Sequence, residues 1–453
     1  MKILSVNSNW FKESDLRLDA EFHISDGPTT TRLIKASGIE FKPLHSVTKS
    51  IFKGQIFKRC YVKDTEFGMP FLSASDMVKS DVDSGLFLSK KYAPKSELLE
   101  IKKDCILISR SGTLGLTVYT NKIMAGVIGS DDLIRIIPDN NELSSGFLYA
   151  FLASRYGYSL ITQSSYGGVI KHIEPHHLED ISIPIIQLAK RKLVDEKIKE
   201  AAEFRYKAHE SLKEATSYFE KLFPAFDKKE KVFLKKSNEF NFSWVGRNND
   251  IIPENWISKI KSQEHHLIKS ISSRVFCPAM FKHIYLKKDN GFPFFTGAEL
   301  AKAFRLKRRF LAKSGVKNIN DYVVHNNDLV IYKSGPRNGM IGDVFLIDKA
   351  LDNSCLSDHV IRILIKDQKI NFWCFAFLKS KVGKRILHNL ATGTAILFIT
   401  PERIENLVIP APDKNFELIV SKVEQYISSF NEAHRLEREA IEIIEKEIES
   451  WQK

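Results

Sequence analysis

Two stretches of the chain place apolar or small residues at alternating steps of four and three over many turns. The first links Val194, Ile198, Ala201, Ala208, Leu212, Ala215, Phe219 and Leu222 and is broken at Arg205. The second links Phe416, Val420, Val423, Ile427 and Phe430, then Ile441, Ile444, Ile448 and Trp451, with breaks at His434 and Glu437. A sustained average step of 3.5 with charges elsewhere predicts two long helices with a coiled-coil seam. Each stripe could dock on its own neighbouring domain, but two matched stripes favour mutual packing. Packed antiparallel, roughly 35 residues at 1.5 Å each would make a rod of about 50 Å, on the order of fifteen base pairs. The polar breaks Arg205, His434 and Glu437 are candidates for setting its register. Pro224 stops the first helix.

Ahead of each stripe the pattern changes to short β-branched and aromatic runs, such as 104–109 and 328–333, bounded by Gly and Asn, which read as strands. Helical spacing follows at Phe147 to Tyr158 and at Asn371 to Leu390, and a short helical turn then feeds a strand that ends at Pro184 or Pro410. The two halves repeat one another in detail. Gly68 to Lys79 matches Gly291 to Lys302 without a gap, 223 residues on, and Ile108 to Gly115 matches from Ile331 at the same offset. Ser130 to Ile136 answers Ser357 to Ile363 at 227, and Ile173 to Pro184 answers Ile399 to Pro410 at 226. Four blocks in one order at a nearly constant offset mark a duplication of whole domains. The predicted fold is α+β: two tandem mixed domains at 1–185 and 227–412, each followed by a long helix, at 186–226 and 413–453.

Composition narrows the partner. The 453 residues are 43% hydrophobic, ample for several cores, and carry a formal net charge of +13. That balance favours a polyanion, nucleic acid first and a membrane surface second. No apolar run is long enough to span a membrane and no signal peptide is recognisable at Met1, so a cytoplasmic protein is expected. Cys60, Cys105, Cys277, Cys355 and Cys374 lie far apart, which excludes a zinc ribbon or disulfide framework and predicts reduced thiols.

The closing blocks Gly167 to Pro184 and Thr394 to Pro410, the Ser111-Gly-Thr-Leu-Gly115 turn and the helix after each domain resemble the specificity subunits of type I restriction-modification systems. The resemblance spans essentially the whole chain. It implies two target-recognition domains that read unlike half-sites of double-stranded DNA, separated by a helical spacer. It also implies adenine methyltransferase and helicase-nuclease subunits as partners. S-adenosylmethionine, ATP and Mg would then be bound by those partners and by none of this chain's residues. The second copy departs from the first at Gly335-Pro-Arg-Asn-Gly339 and lacks the counterpart of Gly167-Gly168.

Candidate DNA contacts sit on equivalent turns and in basic, aromatic-rich clusters. Arg110 and Ser111 in the first copy correspond to Lys333 and Ser334 in the second, and the turns continue through Gly112 and Thr113 in the first and through Arg337 and Asn338 in the second, where glycine admits a phosphate and the polar side chains supply hydrogen bonds. Lys53, Lys58 and Arg59 lie beside Phe52, Phe57 and Tyr61; Arg305, Lys307, Arg308 and Arg309 lie between Phe304 and Phe310; Tyr166 immediately precedes the closing block and Lys171 lies within it. A solvated charged face remains the alternative for each cluster. His172, His176 and His177 with Glu174 and Glu179 do not make a persuasive metal set, because the second copy replaces His172 with Phe398 and His176 with Glu402. Neither an adenine-methylation tetrapeptide nor a nuclease carboxylate motif is present, so no catalytic centre is expected. Two other classes stay open: an enzyme that carries its own recognition domains, and a protein-interaction or decoy subunit.

Overall fold

Alternating apolar runs close into the same four-stranded antiparallel sheet in each half of the chain. The structure is a computed structural model, which describes residues 5–13, 22–23, 25–62, 65–82, 85–92, 98–112, 114–163, 172–224, 245–286, 291–305, 309–316, 318–337 and 339–451. In the first half the strand order is Thr48–Lys53, Leu133–Pro138, Ile106–Ser109, Thr117–Tyr119; in the second it is Ser272–Phe276, Val360–Ile365, Leu329–Tyr332, Val344–Leu346. Register repeats with order. Ile106, Leu107 and Ile108 face Ile136, Arg135 and Ile134, while Leu329, Val330 and Ile331 face Ile363, Arg362 and Ile361. A second small sheet also recurs, with one parallel pairing in each copy, Phe71 to Ile128 and Phe294 to Cys355.

The repeated arginine of the Ser-Asp-x-x-Ile-Arg-Ile block is buried in both copies. Arg135 donates to the carbonyl oxygens of Leu133 at 2.9 Å, Gly129 at 2.9 Å and Leu99 at 3.1 Å, so one guanidinium ties the first sheet to the second. Burial lowers its pKa to about 10. Arg362 instead bonds the carbonyl of Asp321 at 2.9 Å, in the turn that leads into Val323–Val324 of the second sheet, and the carboxylate of Asp328 at 2.8 Å. A group this costly to bury is retained because its guanidinium finds backbone or carboxylate acceptors in the interior.

The helical spacing of 147–158 and 371–390 resolves into two helices per copy, Ser145–Ala153 with Arg155–Gln163 and Gln368–Lys379 with Lys381–Leu390. The break is chemically identical. Ser154 Oγ donates to the Phe151 carbonyl at 2.6 Å and accepts the Gly157 amide at 3.2 Å; Ser380 repeats both bonds with Phe377 and Gly383. A Cβ at Gly157 would stand 2.1 Å from the Phe151 carbonyl oxygen and one at Gly383 2.3 Å from that of Phe377, so the corner admits no side chain. Beyond the corner, a one-turn helix at Pro175–His177 or Pro401–Glu405 leads into strands Ser182–Pro184 and Val408–Pro410, which pair with Phe41–Pro43 and His265–Leu267.

Both seams form helices of 35 residues, Leu188–Leu222 and Phe416–Ser450. By contacts the chain divides into one unit of residues 1–206 with 432–453 and another of residues 207–431, so each unit owns a stretch of both long helices. Within the first unit Val194, Ile198 and Ala201 are buried, as are Ala440, Ile441, Ile444 and Ile448. Lys197 meets Glu439 at 2.7 Å and Lys190 meets Glu447, so the stretches run antiparallel. Two of the polar breaks meet: Arg205 pairs with Glu437, whose carboxylate also accepts the Tyr149 hydroxyl of the domain. The side chains of Arg205 and Glu437 are only 15% and 6% exposed, and His434 is buried as well. Burial, followed by the negative charge of Glu437, raises the Tyr149 pKa well above 10 and keeps it a donor.

In the second unit the stretches both pair and dock. Lys422 meets Glu214 at 2.6 Å, while Ala215, Phe219 and Phe223 share one core with Ile419, Val420, Val423 and Trp373. The Phe219 and Trp373 rings lie 4.9 Å apart edge-on, and Trp373 Nε1 donates to the Pro410 carbonyl at 2.8 Å.

Removing one member of a buried pair strands the other. Glu437→Gln should therefore lower the unfolding free energy by about 2–4 kcal/mol in urea titration, whereas the triple change Arg205→Met, Glu437→Leu and Tyr149→Phe, which removes all three polar partners together, should recover most of that loss. A single change with no effect would show that the pair does not hold the seam.

Candidate nucleic-acid interface

Strand Ile106–Ser109 delivers Arg110 to a turn that Gly112 and Gly115 make possible, with φ of +70° and +75°. Backbone bonds fix the turn: the Arg110 amide donates to the Asp132 carbonyl at 3.1 Å, and the Ile173 amide donates to the Arg110 carbonyl at 3.1 Å. The second copy places Lys333 identically, its amide on the His359 carbonyl at 2.9 Å and its carbonyl accepting the Ile399 amide at 2.8 Å. The equivalence read from sequence is thus an equivalence of backbone.

The two side chains are engaged differently. Arg110 donates through Nε at 3.1 Å and Nη2 at 2.5 Å to Glu174, and its Nη1 lies 3.4 Å from Asp132. Lys53 reaches the same Glu174 at 2.7 Å. Arg59 meets Asp131 at 2.6 Å and Ser130 Oγ at 3.0 Å, and Ser111 Oγ lies 3.4 Å from Asp132. Partial burial pushes the Glu174 pKa up, but the hydrogen bonds and charges of Lys53 and Arg110 outweigh it and hold the carboxyl down to about 2. Glu174 also caps the helical turn at Pro175–His177, and the His177 Nδ1 accepts the Glu174 amide at 3.1 Å. That capping role engages Glu174 and His177 of the His and Glu cluster in the closing block. Among the described residues no group of His, Cys, Asp and Glu is placed to hold a metal ion.

At the corresponding place in the second copy, Lys333 Nζ lies 3.1 Å from Cys277 Sγ. Burial raises the Cys277 pKa against the opposing pull of Lys333. Ser334 contacts His359 Nδ1 at 3.2 Å and, with Gly335, pairs with Phe398 and Leu397. Arg337 is exposed and helps line a cleft of about 420 Å³ with Asp250, Arg385, His388, Asn389 and Leu397.

The Arg305 to Arg309 cluster separates on folding. Arg305 is a correction to the sequence reading: its side chain is 5% exposed, pairs with Asp348, and donates to the Leu300 carbonyl at 2.6 Å and the Glu299 carbonyl at 2.8 Å. It belongs to the core, where DNA has no access. Arg309 stays at the surface, 2.5 Å from Glu299. Lys58 and Gly112 are exposed. Thr113, Tyr166, Lys171, Lys307, Arg308 and Asn338 lie outside the described residues.

One repeated block escaped the sequence reading. Phe52, Phe57, Lys58, Tyr61 and Lys63 recur as Phe276, Phe281, Lys282, Tyr285 and Lys287, all at an offset of 224. The basic cluster at 53–59 was visible, but Cys277 and His283 replace Lys53 and Arg59, so a search for matching charge passes over the second copy.

A family model described as the type I restriction modification DNA specificity domain matches residues 36–200 and again 275–443. The chain is 24% identical over 378 residues to the type I restriction enzyme MjaVIII specificity subunit of Methanocaldococcus jannaschii, covering 80% of this chain and 83% of that one. Among solved structures it is similar to the type I restriction-modification S subunit from M. genitalium, at 13% identity and a TM-score of 0.32, covering 90% of this chain and 96% of that one. It is also similar to the HsdS subunit from Thermoanaerobacter tengcongensis, at 15% identity and a TM-score of 0.29 over the same shares of the two chains.

The Glu174 junction makes a prediction about acid. A carboxyl whose pKa falls from 4.5 to about 2 on folding contributes stability that is complete above pH 4.5 and is lost as pH falls toward 2. The contribution is of order 1–2 kcal/mol once solvent screening of this partly exposed cluster is allowed for. Urea titrations should find wild type losing stability between pH 4.5 and 2 more steeply than Glu174→Gln, with parallel curves above pH 5; parallel curves throughout would dissolve the junction.

Proposed function

Because the chain belongs to the type I restriction-modification DNA specificity family, we propose that it is the sequence-specific DNA-binding subunit of a type I-like restriction-modification or related phage-defence complex. Its two domains each read one half of a bipartite target. The observation that carries this reading is the double match: one specificity domain occurs twice in the chain, with the same strand order and register each time. Two unlike copies of one reader on a single chain suit two unlike half-sites. The chain recognises and does not catalyse.

Adenine methyltransferase subunits and a helicase-nuclease subunit are the partners such a reader would bring to DNA; a solved relative comes from work on assembly of the type I R-M system. S-adenosylmethionine, ATP and Mg would be held by those subunits. Among the described residues no helix is long and apolar enough to cross a membrane, and DNA modification would place the chain's work in the cytoplasm. The formal charge of +13 supports a polyanionic target, although Lys53, Arg59 and Arg110 are matched by Glu174, Asp131 and Asp132 within the first domain.

Methylome sequencing of cells producing the chain with its methyltransferase should reveal one interrupted adenine motif that disappears when the chain is deleted. Binding to a duplex carrying that motif should weaken by roughly 10³-fold between 50 and 200 mM salt if six or more phosphates are contacted. A continuous motif, or salt-insensitive binding, would contradict the reading.

A further inference from the structure

The block that recurs at an offset of 224 has an unusual surface. Phe57 packs against the cluster of Phe71, Leu88, Leu99 and Ile128, and Phe281 packs against the corresponding cluster of Phe294, Leu311 and Cys355. Tyr61 sits on an edge strand opposite Leu88 and meets Phe71 with ring centroids 6.0 Å apart; Tyr285 sits opposite Leu311 and meets Phe294 at 6.1 Å. The carbonyls of Cys60 and Ile284 accept the amides of Ser89 and Ala312 at 2.8 and 2.9 Å. The segment is therefore pinned from within in the same way twice.

Pinning Phe57 and Phe281 inward drives the preceding residue outward. Ile56 is 85% exposed and Met280 is 87% exposed, so a large apolar side chain stands in solvent at the same point of both domains. Lys58 and Lys282 are exposed two residues later, and half the surface of each tyrosine remains open. A single exposed apolar residue is ordinary, but the same one on a rigidly anchored strip in both copies is not. Neither 55–62 nor 279–286 contains Asp or Glu.

We propose that Ile56, Lys58 and Tyr61, and their counterparts Met280, Lys282 and Tyr285, form the strip by which each domain touches its half-site. The exposed apolar side chain meets a base edge, and the lysine takes the adjoining phosphate. A partner that meets this strip twice must offer two similar surfaces, and duplex DNA with two half-sites does so. The acid-free, lysine-bearing strip complements its charge. Apolar side chains read the thymine methyl in the major groove, and lysine holds phosphate without reading sequence. Positions that differ between the copies, Gln55 against Ala279 and Arg59 against His283, flank those that match. Unlike half-sites read through one scaffold require such a mixture.

The inference rests on the specificity-subunit reading, and the experiment separates the two. The full chain, with its methyltransferase, is produced as wild type, Ile56→Ala, Met280→Ala and Lys58→Ala, with thermal unfolding checked for each; truncation at such exposed positions should leave the melting curve unchanged. Ile56→Ala should relax base preference roughly tenfold at one position in one half of the methylation motif, and Met280→Ala in the other half only. Lys58→Ala should weaken binding to all duplexes alike. A wild-type complex with no bipartite motif overturns the specificity reading itself. A bipartite wild-type motif that both apolar variants reproduce unchanged overturns the strip alone. Methylation lost while the variant chain keeps wild-type affinity for the duplex would assign the strip to a protein partner, and would equally overturn it.

Discussion

A carboxylate buried in a helical seam must find a cation, and Glu437 finds Arg205 across the seam and Tyr149 on the domain below. Sliding one helix past the other by a single turn would leave Arg205 facing an apolar position and Glu437 desolvated without a partner, a cost of several kcal/mol that an all-apolar seam would not impose. Because Tyr149 lies on the helix Ser145–Ala153, the same contact also anchors the domain to the seam. The apolar residues supply adhesion; the polar triad supplies position.

Charge is used elsewhere in the molecule with the same economy. The cations most conspicuous in the first copy, Lys53, Arg59 and Arg110, converge on Glu174, Asp131 and Asp132 and draw separate loops into one junction. Arg135 and Arg362 go further and enter the interior to gather backbone carbonyls. A net positive sequence therefore does not place every basic residue on an electropositive face. Folding sorts arginine toward structural ties, where its planar fork can satisfy several acceptors, and leaves lysines such as Lys58 and Lys282 outside.

The seams, the strands before each proline and the duplication were legible because each is a periodic or local signal. Arg205 and Glu437 could be recognised as breaks for the same reason, since they interrupt a pattern. Their mutual contact could not be read, because it joins residues 232 apart in the chain. The Glu174 junction was hidden in the same manner, as Arg110 lies 64 residues from it, and a run of basic residues around Arg305 concealed that one of them has a buried Asp348 waiting 43 residues on. The helix corner at Ser154 was missed for a different reason. Its apolar spacing continues through the break, and only the serine and the glycine three residues later announce it.

The contact division has a consequence for how the chain is made. Residues 207–431 form one uninterrupted unit, whereas the other joins 1–206 to 432–453. As the polypeptide leaves the ribosome, the unit whose residues are encoded later can be finished first. The earlier one can close its seam, where Lys190 meets Glu447, Lys197 meets Glu439 and Arg205 meets Glu437, only when the last stretch of the second helix arrives. Synthesis thus leaves that seam open for the whole time needed to translate the residues from 207 to 431.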